Sequence, residues 1–135
     1  MNIEARKSLM EWSPVSERTI LAHFKTKIRT LTIIQCYAPT ELTEKDEKEE
    51  FYLQLSETTT AVKKRDVIIL MGNMNAKIGP NNEGMEHVMG RHGIGNMNEN
   101  GELFSELCAN YDLIIGGIVL SIKHVIKCHG FHQTV

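Results

Sequence analysis

The sequence has few cysteines, no surplus of basic charge and no long apolar run. Its three cysteines, Cys36, Cys108 and Cys128, are odd in number and widely spaced. They therefore give no disulfide framework and favour a reducing compartment. The formal net charge is −2, whereas free-standing nucleic-acid-binding proteins usually carry a basic surplus. Any nucleic-acid role would therefore need a local basic patch.

Apolar segments of the kind that enter membranes are also missing. No stretch approaches the ~20 apolar residues of a transmembrane helix, and residues 1–12 lack the apolar core of a signal peptide. We therefore expect an intracellular protein without a membrane partner, in either the nucleus or the cytosol. The 135 residues, 41% of them hydrophobic, suit one globular domain with its own core.

What the chain does contain begins with a predicted β-hairpin. Residues 18–25 alternate apolar with polar positions, and residues 28–39 are rich in β-branched side chains. The short segment 25–27 between them suits a turn, and Pro39 ends the second strand. Residues 1–17, before the hairpin, fit either a short helix or a frayed arm.

A helix is predicted within residues 40–65. Thr43 is the expected cap, acidic residues occupy the first turn, and Lys63, Lys64 and Arg65 match the helix dipole at the other end. The acidic run 44–50 is interpreted as a solvated face. The apolar positions of one face are Phe51, Leu55 and Val62.

The second half of the chain predicts a buried strand, a long polar loop and a short helix. The strand covers residues 67–71, the loop 72–100, and the helix 101–110 with Asn100 as its cap. Residues 112–122 predict one or two further strands. This order of elements predicts an α/β layer fold, and long loops in such folds are often functional.

Three polar segments follow strands or precede the last helix. They read IIQCYAPT from residue 33, ILMGNMNAKIG from residue 69 and MGRHGIGNMNENGELF from residue 89. In this order they resemble the endonuclease/exonuclease/phosphatase superfamily. The similarity is greatest to the apurinic-type endonuclease domain of non-LTR retrotransposons and to the related craniofacial-development-protein-2-like sequences.

The resemblance implies a fold and a reaction. Members of that superfamily are two-sheet α/β sandwiches of the DNase I-like kind that cleave phosphodiesters with Mg²⁺ or Mn²⁺ and an activated water. Their tyrosine followed two residues later by proline corresponds to Tyr37 and Pro39, and the tyrosine lies near the phosphate. Their Gly-Asp-x-Asn signature corresponds to Gly72, Asn73 and Asn75. In the family, the aspartate orients or deprotonates the attacking water, and the asparagine stabilises the phosphate.

Asn73 is the main departure from that pattern. An amide cannot take a proton at neutral pH, and general-base assistance is worth ~10²–10⁴ in rate. The metal-binding glutamate and the terminal Asp-His pair of similar enzymes also have no counterpart here. We therefore predict a partial sandwich, truncated at both ends, that binds no metal and has little or no activity.

The C-terminal residues depart from the related sequences as well. Those sequences continue with Trp-Val-Ser-Pro after a lysine, whereas CHGFHQ follows Lys127 here. Codons for residues 129–133 can be chosen that give Trp-Val-Ser-Pro when read two bases later, so a frameshift near residue 127 is a hypothesis that the gene sequence tests. The expected organisation is an arm over 1–17, the partial domain over 18–127 and an unrelated tail over 128–135.

Simpler interpretations remain open for the site residues. Tyr37 is either a phosphate neighbour or an exposed strand-end aromatic, and Asn73 and Asn75 are either site or turn residues. Arg91, Asn96 and Asn98 either contact nucleic acid or only satisfy the loop. Cys128, His129 and His132 have the spacing of metal ligands but are one ligand short of a closed zinc site.

Two functions follow from this sequence. The first is an inactive piece of a metal-dependent endonuclease that has DNA as its family's partner. The second is a non-enzymatic binding or interaction module retained from that domain. A truncated sandwich would also leave sheet edges and one apolar face uncovered, which favours self-association.

Overall fold

One six-stranded sheet forms the centre of the computed structural model, which describes residues 2–91, 93, 95–116 and the backbone of 124–127. Its strands are β1 (Leu9–Pro14), β2 (Thr19–Lys25), β3 (Thr30–Tyr37), β4 (Val67–Asn73), β5 (Ile114–Ile115) and β6 (His124–Lys127). The helices are α1 (Ile3–Ser8), α2 (Lys45–Ala61) and α3 (Glu99–Asn110). The predicted α/β class is confirmed.

The strands lie in the order β1-β2-β3-β4-β6-β5. The predicted hairpin is present as the antiparallel pair β2–β3. Helix α2 then carries the chain back across the sheet, so β3 and β4 run parallel, from Leu31 opposite Val67 to Tyr37 opposite Asn73. The carboxyl ends of two neighbouring parallel strands therefore meet at one edge of the sheet, which we call the rim.

One face of the sheet is buried beneath the helices. Successive side chains of a strand point to opposite faces, and Ile34, Cys36, Ile68 and Leu70 on this face are buried. The core that they form with α2 and α3 also contains Phe51, Tyr52, Leu55, Phe104, Leu107 and Cys108. A sheet with helices packed on one face is compatible with part of an α/β sandwich.

The opposite face of the sheet is apolar but not buried. A row runs across it from Trp12 through Ala22 and Ile33 to Ile69, each opposite the next in the strand pairing. Trp12 is 64% exposed, and the others are half-buried and lie outside the core. We call this surface the open face; its members are Trp12, Ile20, Ala22, Phe24, Leu31, Ile33, Val67, Ile69 and Met71.

The predicted ends of α2 were wrong. The cap position is Glu44, and its side chain makes no capping bond. Thr43 instead closes a turn, its backbone N–H donating to the carbonyl oxygen of Thr40 at 3.0 Å. The helix ends at Ala61, so the three basic residues 63–65 lie beyond its last turn.

Strands β1 and β6 had no predicted counterpart. β1 lies within the segment interpreted as a short helix or arm and pairs with β2, with an irregularity between Leu9 and Glu11. β6 pairs with both β4 and β5. The segments 117–123 and 128–135, with the suspected frameshift and Cys128, His129 and His132, lie outside the described residues. Within the described part of the chain, no helix is long and apolar enough to cross a membrane.

Candidate functional site

The rim brings the two predicted site segments side by side. Tyr37 ends β3 and lies directly opposite Asn73, which ends β4. The backbone N–H of Ala38 donates to the carbonyl oxygen of Asn73 at 2.9 Å, so the pairing continues one residue beyond the strand. Ligands of open α/β sheets bind outside the carboxyl ends of strands, and the rim is such a place.

Tyr37 is positioned by Arg18. The two backbones bond to each other through the Tyr37 N–H and the Arg18 carbonyl oxygen at 2.9 Å. The Arg18 guanidinium donates to the Tyr37 carbonyl oxygen at 3.3 Å and lies 5.9 Å from the centre of the ring, within reach of a cation–π contact. Tyr37 is 52% exposed, so a ligand at the rim can reach this residue.

Asn73 and Asn75 shape the turn that follows β4. The Asn73 side-chain oxygen accepts the backbone N–H of Asn75 at 3.0 Å, and Asn75 has a positive φ of 48°, a conformation that asparagine tolerates. The Asn75 amide nitrogen donates to the carbonyl oxygen of Ala38 at 2.8 Å. Both residues therefore act as turn residues, while their predicted role toward a phosphate stays a prediction.

Asn98 joins the long loop to α3. Its side-chain oxygen accepts the backbone N–H groups of Lys77 at 2.9 Å and Gly101 at 2.8 Å. Its amide nitrogen donates to the carbonyl oxygen of Asn75 at 3.1 Å. Asn98 is the cap of α3, so the prediction of Asn100 as cap was wrong.

Asn100 lies in the first turn of α3 and is buried. Its amide nitrogen donates to the carbonyl oxygen of Pro39 at 2.9 Å, which fixes the segment after β3 against the helix. Its side-chain oxygen is buried and has no hydrogen-bond partner among the described residues. Asparagines at 96, 98 and 100 gave three candidate caps. An acidic residue favours the first turn of a helix, so Glu99 was the signal that α3 starts there and that Asn98 is its cap.

Sequence reasoning also missed Lys48, which lies inside the supposedly solvated acidic run. It is 2% exposed, and its ammonium donates to the carbonyl oxygen of Glu41 at 2.7 Å. The carboxylates of Glu41 and Glu99 each lie 3.7 Å away. This buried cation ties the starts of α2 and α3 together. The sequence did contain a signal for this burial: Lys48 lies three, four and seven residues before Phe51, Tyr52 and Leu55, the spacing of one helix face.

Arg91 and Asn96 are exposed members of the long loop. The Arg91 guanidinium donates to the side-chain oxygen of Asn82 at 3.4 Å, within the same loop. Asn98 therefore contacts the rim through its hydrogen bond to Asn75, whereas the hydrogen bond of Arg91 is made to Asn82 within the loop. The predicted contacts of all three residues with nucleic acid stay predictions.

The charge beside the rim is acidic. A cleft of about 370 Å³ between the start of β2 and the outer side of α2 contains Arg18 and Pro39, and its acidic lining residues are Glu17, Glu47, Glu50 and Glu57. A negative wall disfavours the approach of a phosphodiester. Such an arrangement suits a nucleic-acid substrate poorly.

The rim residues do not fit the Mg²⁺ or Mn²⁺ of the resembling enzymes. These hard cations prefer carboxylate oxygens, but the strand-end side chains are a phenol and two amides. The Asn73 oxygen already accepts a backbone N–H group. No group of three His, Cys, Asp or Glu side chains converges anywhere in the described part of the chain.

The two described thiols, Cys36 and Cys108, are buried in the core. Burial raises the pKa of the Cys36 thiol to about 12 and raises the pKa of Cys108 well above its usual value. The Cys36 sulfur lies 3.4 Å from the Met74 sulfur behind the rim. Since the thiolate is the reactive form, both cysteines serve as apolar core residues at neutral pH.

Replacing Asn98 by alanine is expected to lower the free energy of unfolding by about 2–3 kcal/mol. The change removes a helix cap, worth about 1 kcal/mol, and two hydrogen bonds, worth about 1 kcal/mol each. Asn98→Asp keeps both accepted bonds and is expected to lose only about 1 kcal/mol. Urea unfolding measures the change, with exposed Asn96→Ala as control; equal losses at the two positions would contradict the bridging role.

Comparisons with known proteins give one group of relatives. The chain is 33% identical over 115 residues to craniofacial development protein 2 of Bos taurus, an alignment that covers 85% of this chain and 19% of the relative. For craniofacial development protein 2 of Tragulus javanicus the identity is 30% over 115 residues, covering 85% and 20%. No protein-family model matches the chain. The aligned segment is about one fifth of the length of these relatives. The chain is homologous to this segment of craniofacial development protein 2.

Proposed function

We propose that this chain is a non-cleaving piece of an endonuclease/exonuclease/phosphatase-type domain, in which the frame of a phosphodiesterase site remains without its chemistry. The observation that carries the proposal is the pair Tyr37 and Asn73. They stand opposite each other at the carboxyl ends of parallel strands, and an amide stands where the resembling enzymes have an acid.

The bonding of Asn73 explains why this rim would not activate water. The side-chain oxygen accepts the Asn75 N–H group at 3.0 Å, and a neutral amide has no basic site to receive a proton. Loss of the general base alone is worth ~10²–10⁴ in rate. The absence of a converging carboxylate set in the described part of the chain removes the charge stabilisation that a metal supplies.

The test is nicking of supercoiled plasmid with Mg²⁺ or Mn²⁺ by the natural chain and by Asn73→Asp. The aspartate is nearly isosteric and its carboxylate still accepts the Asn75 N–H group, so the turn is kept. We expect neither protein to nick the plasmid above buffer, because the described residues of the natural chain contain no group of three His, Cys, Asp or Glu side chains that a restored carboxylate could join to hold a metal ion.

Tyr37→Phe is the matched control because it removes only the exposed hydroxyl and leaves the ring beside Arg18. Nicking that elutes with the natural chain in gel filtration and falls in Tyr37→Phe would refute the proposal. Nicking by Asn73→Asp alone would support the endonuclease-type assignment and identify the single amide as the cause of inactivity.

A binding or interaction module is the second candidate, favoured by the open face. An apolar row from Trp12 to Ile69 that lies outside the core is the kind of surface that a partner covers. Saturable binding by a folded chain, without cleavage, would separate this candidate from a residual enzyme.

A further inference from the structure

Two surfaces of opposite charge lie at opposite ends of strands β2 and β3. The cleft of about 370 Å³ beside the rim, which we call the acidic cleft, is lined by glutamates that precede β2 or belong to α2. The other end of the two strands is the hairpin turn 25–30. A strand rises about 3.3 Å per residue, and β2 and β3 have 7 and 8 residues. The two surfaces of one chain therefore cannot touch each other.

The acidic cleft presents carboxylates that have no cation within the chain. Its four glutamates are exposed: Glu17, Glu47, Glu50 and Glu57. Among the described residues, none of these four takes part in an ion pair. The one cation in the lining, Arg18, donates to the Tyr37 carbonyl oxygen at 3.3 Å. The cleft therefore has an excess of negative charge that the chain itself leaves unpaired.

The base of the acidic cleft is apolar. Pro39 and Phe51 line it and are buried, and Leu53 in its lining is 61% exposed. A lysine side chain combines an apolar stem with a charged head, and it can cover apolar surface while its head stays among polar groups. A lysine that enters this cleft therefore finds apolar surface for its stem and carboxylates for its ammonium.

The hairpin turn presents lysines of this kind. Lys25 and Lys27 are exposed, and among the described residues neither takes part in an ion pair. No acidic residue lies in residues 25–31. The Thr26 N–H donates to the Arg29 carbonyl oxygen at 3.2 Å, and the Thr26 hydroxyl accepts the Arg29 N–H at 3.0 Å. The two lysines therefore project from an ordered turn at the end of the sheet.

We propose that the hairpin turn of one copy of this chain docks in the acidic cleft of a second copy. The turn carries only positive charge, and the cleft has four glutamates against one arginine. Complementary charges of this kind select a partner and fix its orientation. Because the two surfaces are different and lie at opposite ends of the strands, the contact is head-to-tail: each copy donates its turn to one neighbour and receives the turn of another.

This head-to-tail contact is independent of the proposed function, since neither Tyr37 nor Asn73 lines the acidic cleft or belongs to the turn. It also differs from a contact through the open face in its response to salt. The Debye length falls from about 30 Å at an ionic strength of about 0.01 M to about 8 Å at about 0.15 M. Salt therefore weakens a contact between exposed charges, whereas an apolar contact persists.

The test is sedimentation velocity of a chain whose open face carries Ile33→Thr with Ile69→Thr, so that the apolar contact is weakened. We expect this background chain to self-associate at an ionic strength of about 0.01 M. Its dissociation constant is expected to rise more than about tenfold at about 0.15 M. A background chain that stays monomeric at low ionic strength, or associates equally at both, would overturn the proposal.

Two pairs of substitutions in this background remove the charges of the two surfaces separately. Lys25→Gln with Lys27→Gln neutralises the turn, and Glu47→Gln with Glu50→Gln neutralises part of the acidic cleft. At low ionic strength each pair is expected to raise the dissociation constant about tenfold, because each removes two exposed charge contacts. Circular dichroism establishes that the variants fold like the natural chain.

Lys77→Gln with Arg91→Gln is the control for the loss of charge. Both side chains are exposed and lie outside the acidic cleft and the turn. Removing two positive charges takes the net charge from −2 to −4, as in the turn variant. The dissociation constant of the control is expected to change less than about threefold. A loss equal to that of the turn variant would show a general effect of net charge and would contradict the proposal.

The combination of the turn pair with the cleft pair decides whether the two surfaces meet each other. If they are partners, the second pair has little left to remove, and the dissociation constant stays within about threefold of that of either pair alone. Independent surfaces give losses that multiply to about a hundredfold. That outcome would assign the turn and the acidic cleft to different contacts and refute the head-to-tail arrangement.

Carbodiimide cross-linking, which joins a lysine directly to a carboxylate, identifies the positions that meet. An equal mixture of unlabelled and ¹⁵N-labelled background chains is cross-linked at low ionic strength and digested for mass spectrometry. We expect Lys25 or Lys27 of one label to be joined to Glu47 or Glu50 of the other. Cross-links of the turn to other carboxylates alone, without any to the acidic cleft, would also overturn the proposal.

Discussion

Replacing Gly72 by alanine is expected to lower the free energy of unfolding by about 4 kcal/mol or more, a loss that is exceptional for one methyl group. A Cβ atom built on Gly72 would lie 1.9 Å from the carbonyl oxygen of Cys36, its partner on β3. The obstacle is backbone, so relief requires β3 and β4 to separate. Gly72 also has a φ of +131°, which L-residues rarely adopt.

Gly84→Ala is the matched control for this prediction. Gly84 also has a positive φ, of +77°, but a Cβ atom there would meet nothing within 4 Å. Its replacement is expected to cost about 1–2 kcal/mol, the conformational penalty alone. Urea unfolding of both variants separates collision from conformation, and equal losses would show that β3 and β4 can shift apart at little cost.

Gly72→Ala is also expected to disturb the rim. Gly72 lies directly before Asn73, and the close approach of β3 and β4 at Cys36 holds Tyr37 and Asn73 side by side. The glycine of the Gly-Asp-x-Asn resemblance therefore has a packing role here that does not depend on catalysis.

The natural chain is expected to self-associate through the open face, and Ile33→Thr with Ile69→Thr is expected to raise the dissociation constant at least about tenfold, which corresponds to about 1.4 kcal/mol. Ile33 and Ile69 are paired neighbours on β3 and β4 in the middle of the sheet. Burying an aliphatic side chain contributes about 1.5–3 kcal/mol. Threonine keeps the β-branched shape that strands favour while reducing the apolar surface.

Sedimentation velocity at several protein concentrations measures this effect. Ile28→Thr with Leu42→Thr is the control, because both side chains are exposed, at 89% and 97%, and neither belongs to the open face. A monomeric natural chain over the whole concentration range would contradict the prediction. Equal increases of the dissociation constant in the two double variants would indicate nonspecific hydrophobic association instead of a defined surface.

The structure favours the open face over the sheet edges as the surface for this contact. The edge strand β1 has an irregular register and ends in Pro14, and both features hinder the addition of another strand. The other edge, β5, has only two residues. The double threonine variant tests this because it leaves both edges unchanged.

Local patterns predicted the central elements because those patterns depend on neighbours in sequence. The alternation in residues 19–25 and the β-branched run in 30–37 gave the hairpin β2–β3, and the apolar run 67–71 gave β4. β1 and β6 were missed since their strand state depends on pairing with distant partners. The same reason accounts for Asn98 and Asn100, whose roles depend on contacts with Lys77 and Pro39.

By itself, the sequence determined the chemistry available at the rim. Asn73 is an amide in any fold, so no arrangement of neighbours makes it a base at neutral pH. The α/β class and the positions of the central strands along the chain also follow from the sequence, because hydrophobic periodicity is a local property.

Only the tertiary structure decided which distant residues meet. The pairing of β3 with β4 brings the basic hairpin turn 25–29 beside Arg65, although the net charge of the chain is −2. Packing of α2 against α3 buries Lys48 between Glu41 and Glu99, although the acidic run around it had indicated a solvated face. The close approach of Cys36 to Gly72 is likewise a contact between two strands. Such contacts depend on the path of the whole backbone, which no short window of sequence contains.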